Sequence, residues 1–336
     1  MPRLELDVSV ETLQLAQPFR ISGHVFTGSD VVVVTLCDGD RTGRGEGGGV
    51  YYLNDDVAHM LYSIGGVRSV IEAGPTREEL RSIMPAGGAR NAVDCALWEL
   101  EAARAGVPVW QLAGLSPPQP LRTTFTLGAD EPEVMAEGAR RYSHARSIKV
   151  KLTGELDLDI ARVTAIRAAR PDVWLGVDGN QGFIIDQLDE LVAALVEQQV
   201  SLLEQPLARG READLDGYKS PVPIAGDESL LTLDDLPAAV GRFDVVNIKL
   251  DKCGGLTEGL LMAEEARRLG LGVMVGNMVG SSLAMAPAFV LGQGCDIVDL
   301  DGPTFLAEDR TPSVVYEDGN IIAGPEVWGS GKVTVE

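Results

Sequence analysis

Cysteine and histidine are scarce in this 336-residue chain. The four cysteines, Cys37, Cys95, Cys253 and Cys295, form no CxxC pair and no Cys/His cluster, which argues against a zinc site or a short disulfide framework. None of the three histidines, His24, His59 and His144, closes an apolar run in the last part of the chain. Basic residues are short too: 28 Lys and Arg stand against 50 Asp and Glu, a formal charge of −22. That balance argues against nucleic acid and anionic membrane as partners, since phosphate binding needs a basic face, and it also suits solubility alone. No run of 18 apolar residues is present, and MPRLELDVSVETLQLAQPF has neither a basic start with an apolar core nor a small-residue cleavage site. A cytoplasmic location is therefore expected.

What is present suits one large barrel and a smaller domain, with an apolar fraction of 45% to fill their cores. Residues 1–50 read as strands: LELDVSVETLQL alternates, and VVVVTLCDGD ends at a turn. PFRISGHVFTGSD between them reads equally as a lid loop or a long hairpin connection. Residues 54–115 read as helical, with Asp55 or Asp56 as a cap, a capping box opening at Thr76, and ARNAVDCALWELEAARAG closed by Gly106. From Leu121 the pattern becomes strand–helix alternation. The eight strands are LRTTFTLG, SIKVKL, VWLGVD, SLLEQ, PIAGDE, VVNIKL, GVMVGN and IVDLDG. Alternation of this kind implies right-handed crossovers, and eight strands imply closure. The expected fold is α/β: a (β/α)7β TIM-like barrel over 119–308, an N-terminal α+β capping domain over 1–118, and a tail, 309–336, that returns to the cap.

Polar residues close six of these strands, and in such a barrel the strand C-termini share one mouth. Asp178, Glu204 and Asp227 end three successive strands. Three converging carboxylates repel one another, and a divalent cation removes the conflict; oxygen ligands alone favour Mg²⁺ or Mn²⁺. Taken singly, each also suits a helix cap or a surface ion pair. Lys149 and Lys151 point to one side of the second strand, and Lys249 ends the sixth, across the mouth. A cationic neighbour and partial burial lower a lysine pKa towards that of a general base. Two bases on opposite faces of one carbon suit a racemase or epimerase. With no histidine at a late strand, lysine must fill the second role.

KVK, VDGNQ, EQP, GDES and NIKLDKCGG, in this order, resemble the enolase superfamily in its muconate-lactonizing subgroup, and NAVDCALWELEAARAGVPVWQLAG resembles the end of that family's capping domain. The resemblance implies Lys151 and Lys249 as the acid/base pair, Lys149 as support for Lys151 and the substrate carboxylate, and Mg²⁺ on Asp178, Glu204 and Asp227, stabilising an enediolate. Asp299-Leu300-Asp301 resembles the DxD of the dipeptide epimerases, where the pair holds the substrate's free α-ammonium. Thr124 and Thr126 are placed to reach the substrate backbone. Members acting on Ala-Glu present a basic residue in the first lid loop, where His24 falls with Arg20 nearby. Gly280 departs from the acid many relatives carry, and Tyr51 and Tyr52 depart from the expected second lid segment. Asp55 and Asp56 suit either a cationic substrate side chain or a helix cap. The expected activity is Mg²⁺-dependent epimerisation of dipeptides. N-acylamino acid racemisation, o-succinylbenzoate synthase-like dehydration and muconate-type cycloisomerisation stand as alternatives. A small-molecule substrate and a homo-oligomer are expected.

Overall fold

The computed structural model describes residues 3–21 and 24–331. An antiparallel sheet opens the chain: β1 (Glu5–Ile21), β2 (His24–Asp38) and β3 (Arg41–Gly47). The segment expected as lid loop or hairpin is a hairpin. After an irregularity in which Leu15–Pro18 stand opposite Thr27 alone, pairing resumes with Phe19 against Phe26 and Arg20 against Val25. Pro18 has no N–H to give a ladder, so a break there is the physical expectation.

Four helices follow: α1 (Val57–Ile71), α2 (Arg77–Ile83), α3 (Gly88–Ala105) and α4 (Val109–Leu112). Asp56 caps α1, accepting from the His59 backbone N–H at 2.8 Å. Thr76 and Glu79 form the expected reciprocal box on α2. Gly106, at φ 68°, ends α3. β3 packs directly on α3 because its alternate residues Gly43, Gly45 and Gly47 all face the helix. A Cβ on Gly45 would stand 2.0 Å from the Ala92 carbonyl oxygen, and one on Gly43 would stand 2.1 Å from that of Ala96.

The second layer is the barrel. β4 (Leu121–Arg122) is followed by eight parallel strands in sequence order: β5 (Phe125–Leu127), β6 (Ser147–Lys151), β7 (Trp174–Asp178), β8 (Leu202–Glu204), β9 (Ile224–Gly226), β10 (Val245–Lys249), β11 (Gly272–Gly276) and β12 (Ile297–Val298). The Thr124 N–H donates to the Val298 carbonyl at 3.0 Å and so joins the first strand to the last. The helices between them are α5 (Pro132–Arg141), α6 (Leu156–Ala169), α7 (Ile185–Glu197), α8 (Leu236–Ala239), α9 (Leu250–Cys253), α10 (Leu256–Arg268) and α11 (Ser282–Gly292). Only a 3₁₀ turn, Glu212–Leu215, lies between β8 and β9. The run LRTTFTLG, expected as one strand, is broken. Its first two residues leave the ring to pair with β14 (Asn320–Ile322), itself paired with β13 (Val315–Glu317). Beyond β14 the chain returns to the first layer: Trp328 Nε1 donates to the Arg44 carbonyl at 2.9 Å, and the Gly329 N–H to Glu99 at 3.0 Å.

α3 lies between the layers and is buried along most of its length. Its polar residues reach the barrel. Asp94 accepts from Thr257 Oγ1 at 2.6 Å, Asn91 donates to Asp251 at 2.9 Å, and Arg90 meets Glu258 at 3.3 Å. Buried polar groups joined in this way fix the cap on the barrel. No helix among the described residues is long and apolar enough to cross a membrane.

Gly45→Ala is expected to destabilise the protein by about 1–3 kcal/mol, since a methyl cannot enter the β3–α3 contact without moving backbone. Urea unfolding followed by circular dichroism checks this; Gly45 is not in the left-handed region, so the loss reads the close contact and not backbone strain.

Candidate active site

Each barrel strand alternates between residues facing helices and residues facing the axis, so Ile148 and Val150 fill the core while Lys149 and Lys151 point inward. Asp178 ends β7, Glu204 ends β8 and Asp227 follows β9; all three are buried, each offering one oxygen within 4.8 Å of the others. Four lysines surround them. Lys149 Nζ lies 2.7 Å from Glu204, 2.8 Å from Asp299 and 3.3 Å from Asp178. Lys151 Nζ is 2.6 Å from Asp178, and Lys249 Nζ is 2.6 Å from Asp227 Oδ2. Lys252 Nζ takes the other oxygen of Asp227 at 2.6 Å.

The electrostatics correct two expectations. The three carboxylates do not all titrate high. Burial and the Asp178 charge push Glu204 up to about 7. Burial acts on Asp178 too, but Lys151 and Lys149 hold it below the usual carboxylate range; Lys249 and Lys252 do the same for Asp227. Nor are Lys149 and Lys249 lowered as expected. Burial disfavours the Lys249 ammonium, yet Asp227 and its neighbouring carboxylates more than offset that, and Lys149 is raised likewise by Asp299, Glu204 and Asp178. A cation neutralising these carboxylates takes away what raises them.

The donor set fits a hard divalent cation. Glu204 Oε2 is buried 2.7 Å from Lys149 Nζ yet makes no hydrogen bond among the described residues. Its other oxygen accepts from Asn247 Nδ2 at 2.9 Å. Three buried carboxylates with one oxygen left over, and no sulfur or imidazole among them, suit Mg²⁺.

The remaining predicted residues divide. Asp299 accepts from Thr124 Oγ1 and from Lys149; Asp301 accepts from the Thr126 backbone N–H at 2.6 Å. Thr124 and Thr126 are thus brought to the acid pair. Burial and the Asp299 charge raise Asp301 to about 7. The His24 side chain lies outside the described residues. Arg20 lines a neighbouring cleft, bounded by α5, instead of the one above the lysines. Asp55 and Asp56 do not line the main cleft: Asp56 is the α1 cap, and Asp55 accepts from the Gly88 N–H at 2.7 Å and pairs with His59 at 2.8 Å. At Gly280 a Cβ would stand 3.2 Å from Glu46, so an acid there would meet a buried carboxylate.

The cleft over the lysines is roofed by Phe19 and Phe26 of the hairpin and by Tyr51 and Tyr52. The tyrosines stand on a turn clasped by mutual backbone hydrogen bonds between Val50 and Asp55. Three site residues escaped the sequence reading. Asn247 was findable, two positions before Lys249 and so on the same side of β10. Lys252 was not, because it follows the strand. Glu228 adjoins Asp227, is buried, and is raised by burial and by the Asp227 charge.

A barrel with axial carboxylates at its strand ends, roofed by a separate α+β layer, defines a metal-assisted enzyme of the enolase kind. The model of the mandelate racemase/muconate lactonizing enzyme N-terminal domain matches residues 4–114, and that of the enolase C-terminal domain-like family matches 133–331. The chain belongs to this family. The L-Ala-D/L-Glu epimerase of Escherichia coli K12 is 39% identical over 93% of this chain and 97% of its own length. An N-acetyl-D-glutamate racemase of Pseudoalteromonas is 43% identical over 72% of this chain and 76% of its own. Among solved structures, an Agrobacterium tumefaciens enolase family member with homology to dipeptide epimerases, holding sodium and L-Ala-L-Glu, superposes with TM-score 0.92 at 41% identity over 97% of this chain and 100% of that one. A Methylococcus capsulatus dipeptide epimerase complexed with Mg and L-Arg-D-Lys gives 0.87 at 28% identity over 96% and 97%.

Because Glu204 must lose its proton to bind a cation and is raised to about 7, Mg²⁺ affinity is expected to fall as the pH drops from 8 to 6. Calorimetry in buffers of different ionisation enthalpy checks this by the proton released on binding.

Proposed function

We propose that this protein is a Mg²⁺-dependent epimerase acting at the α-carbon of the C-terminal residue of a dipeptide. The observation that carries the reading is the placement of Lys151 and Lys249 on β6 and β10, half the ring apart, both at the same carboxylate cluster. Asp178, Glu204 and Asp227 hold the cation, which supplies stabilisation of the negative charge developing on the substrate carboxylate. One lysine removes the α-proton from its face, and the other returns a proton to the opposite face. Lys149, between Glu204 and Asp299, offers a second positive charge beside the substrate carboxylate. Asp299 and Asp301 receive the free ammonium, with Thr124 and Thr126 fixing their oxygens. Residues 1–118 act as the lid and 119–308 as the catalytic barrel, and the described part of the tail, 309–331, ties the one to the other.

A second reading, an N-acylamino acid racemase, is favoured by the state of the acid pair. Asp299 is already engaged by Lys149 and Thr124, and Asp301, raised by burial and its neighbour, suits donation to an acyl oxygen as a neutral carboxyl. The Pseudoalteromonas relative points the same way.

Asp301→Asn separates the two. It is expected to lower kcat/KM for dipeptides about 10-fold or more and leave N-acyl substrates little changed if the first reading holds, because only the former carry the ammonium. Indifference of both substrate classes supports the second, because the Asn amide still donates to an acyl oxygen. Lys249→Ala is expected to lose about 10²–10⁴-fold in epimerisation, the usual worth of a general acid/base, while one isomer still exchanges its α-proton through Lys151. NMR in D₂O measures both; full epimerisation by the variant would sink the two-base scheme.

A further inference from the structure

We propose that Lys252 is a positioning residue for the Mg²⁺ site, holding Asp227 from behind so that its other oxygen faces the cleft. The inference rests on the reading of Asp178, Glu204 and Asp227 as cation ligands.

Lys252 is almost wholly buried, and its ammonium lies behind the cleft wall rather than in it. It is not available as a base for substrate. Four oxygens surround it: Asp227 Oδ1 at 2.6 Å, the Asp227 carbonyl at 2.5 Å, the Asn247 carbonyl at 2.9 Å and the Leu230 carbonyl at 3.0 Å. A cation taken out of water is costly unless its donors are all matched, and an ammonium has only three. This one is over-supplied with acceptors, so its place is fixed.

The residue it fixes is a ligand. Asp227 is gripped at three points: its N–H donates to Gln205 Oε1 at 2.9 Å, and its carbonyl and Oδ1 both accept from Lys252. Only Oδ2 is left towards the cleft, where Lys249 stands at 2.6 Å. Lys252 also ties the turn after β9 together, because it bonds both Asp227 and Leu230 within that turn. Its fourth acceptor, the Asn247 carbonyl, belongs to the residue whose side chain holds Glu204 by Oε1, the oxygen opposite the free one. Lys252 and Asn247 thereby link the supports of two ligands. There is no slack behind Asn247, since a Cβ on Gly276 would stand 2.6 Å from its side-chain oxygen. Outer partners of this kind orient ligands, and their loss typically costs about 10–100-fold in metal affinity.

The experiment is calorimetric titration of MgCl₂ into wild type and Lys252→Met, an apolar side chain of similar length. The expected result is a Kd raised about 10–100-fold, a kcat that recovers towards wild type as MgCl₂ is raised, and an unchanged metal-free circular dichroism spectrum. A purely structural lysine would lower the melting temperature without moving the Kd of the folded fraction. A Kd within twofold of wild type in folded Lys252→Met overturns the proposal. Should that variant fail to fold, Lys252→Gln, which keeps amide donors without the charge, takes its place under the same criteria. Failure of both to fold, with and without Mg²⁺, makes Lys252 a structural strut and also overturns the proposal. Wild type that binds no Mg²⁺ at all sinks the underlying reading of the carboxylates instead.

Discussion

The structure depends on keeping like charges together out of water. Asp178, Glu204, Asp227 and Asp299 are all buried within one small volume, and four lysines are threaded among them. Neither set is tolerable alone at that depth, because an unpaired charge in a weakly polar interior is strongly disfavoured. The pairing is not one to one. Lys149 serves three acids and Asp227 is served by two lysines. Such a lattice balances only when every strand delivers its side chain at the same height, which a closed parallel barrel does by construction.

That requirement explains much of the surrounding scaffold. The strands that carry the lattice are short, three to five residues from β5 to β11, and their registers are fixed by the layers of apolar side chains beneath. The cap is fixed to this ring through α3, which gives its apolar side to the glycine-lined strand β3 and its polar residues to α9 and α10. The roof therefore has a rigid foundation.

Much of this was legible in the sequence, for an identifiable reason. A polar residue that interrupts an apolar run just before a turn has few structural explanations, and six repetitions leave fewer. Asp178, Glu204, Asp227 and the three inward lysines stood out in that way, as did Thr76 with Glu79 and the terminal Gly106. What escaped depends on through-space neighbours that no local pattern reports. Lys252 looks like any surface lysine until Leu230 and Asn247 are seen around it. The rise of Lys149 and Lys249 was not legible, because it comes from a crowd of carboxylates that only the fold assembles. LRTTFTLG reads as one strand because nothing local says that Leu121 and Arg122 pair with a hairpin some 200 residues later.

The aromatic roof belongs to a different part of the chain from the reactive groups. Phe19, Phe26, Tyr51 and Tyr52 stand on a ribbon and a clasped turn of the N-terminal layer, while every lysine and carboxylate of the charge lattice stands on the barrel. The roof and the reaction centre can thus accumulate substitutions separately. A lineage using this architecture is free to explore new substrates by rewriting two short surface segments, with the proton-transfer apparatus inherited intact. Solved relatives that hold dipeptides as unlike as Ala-Glu and Arg-Lys are what such a division of labour would leave behind.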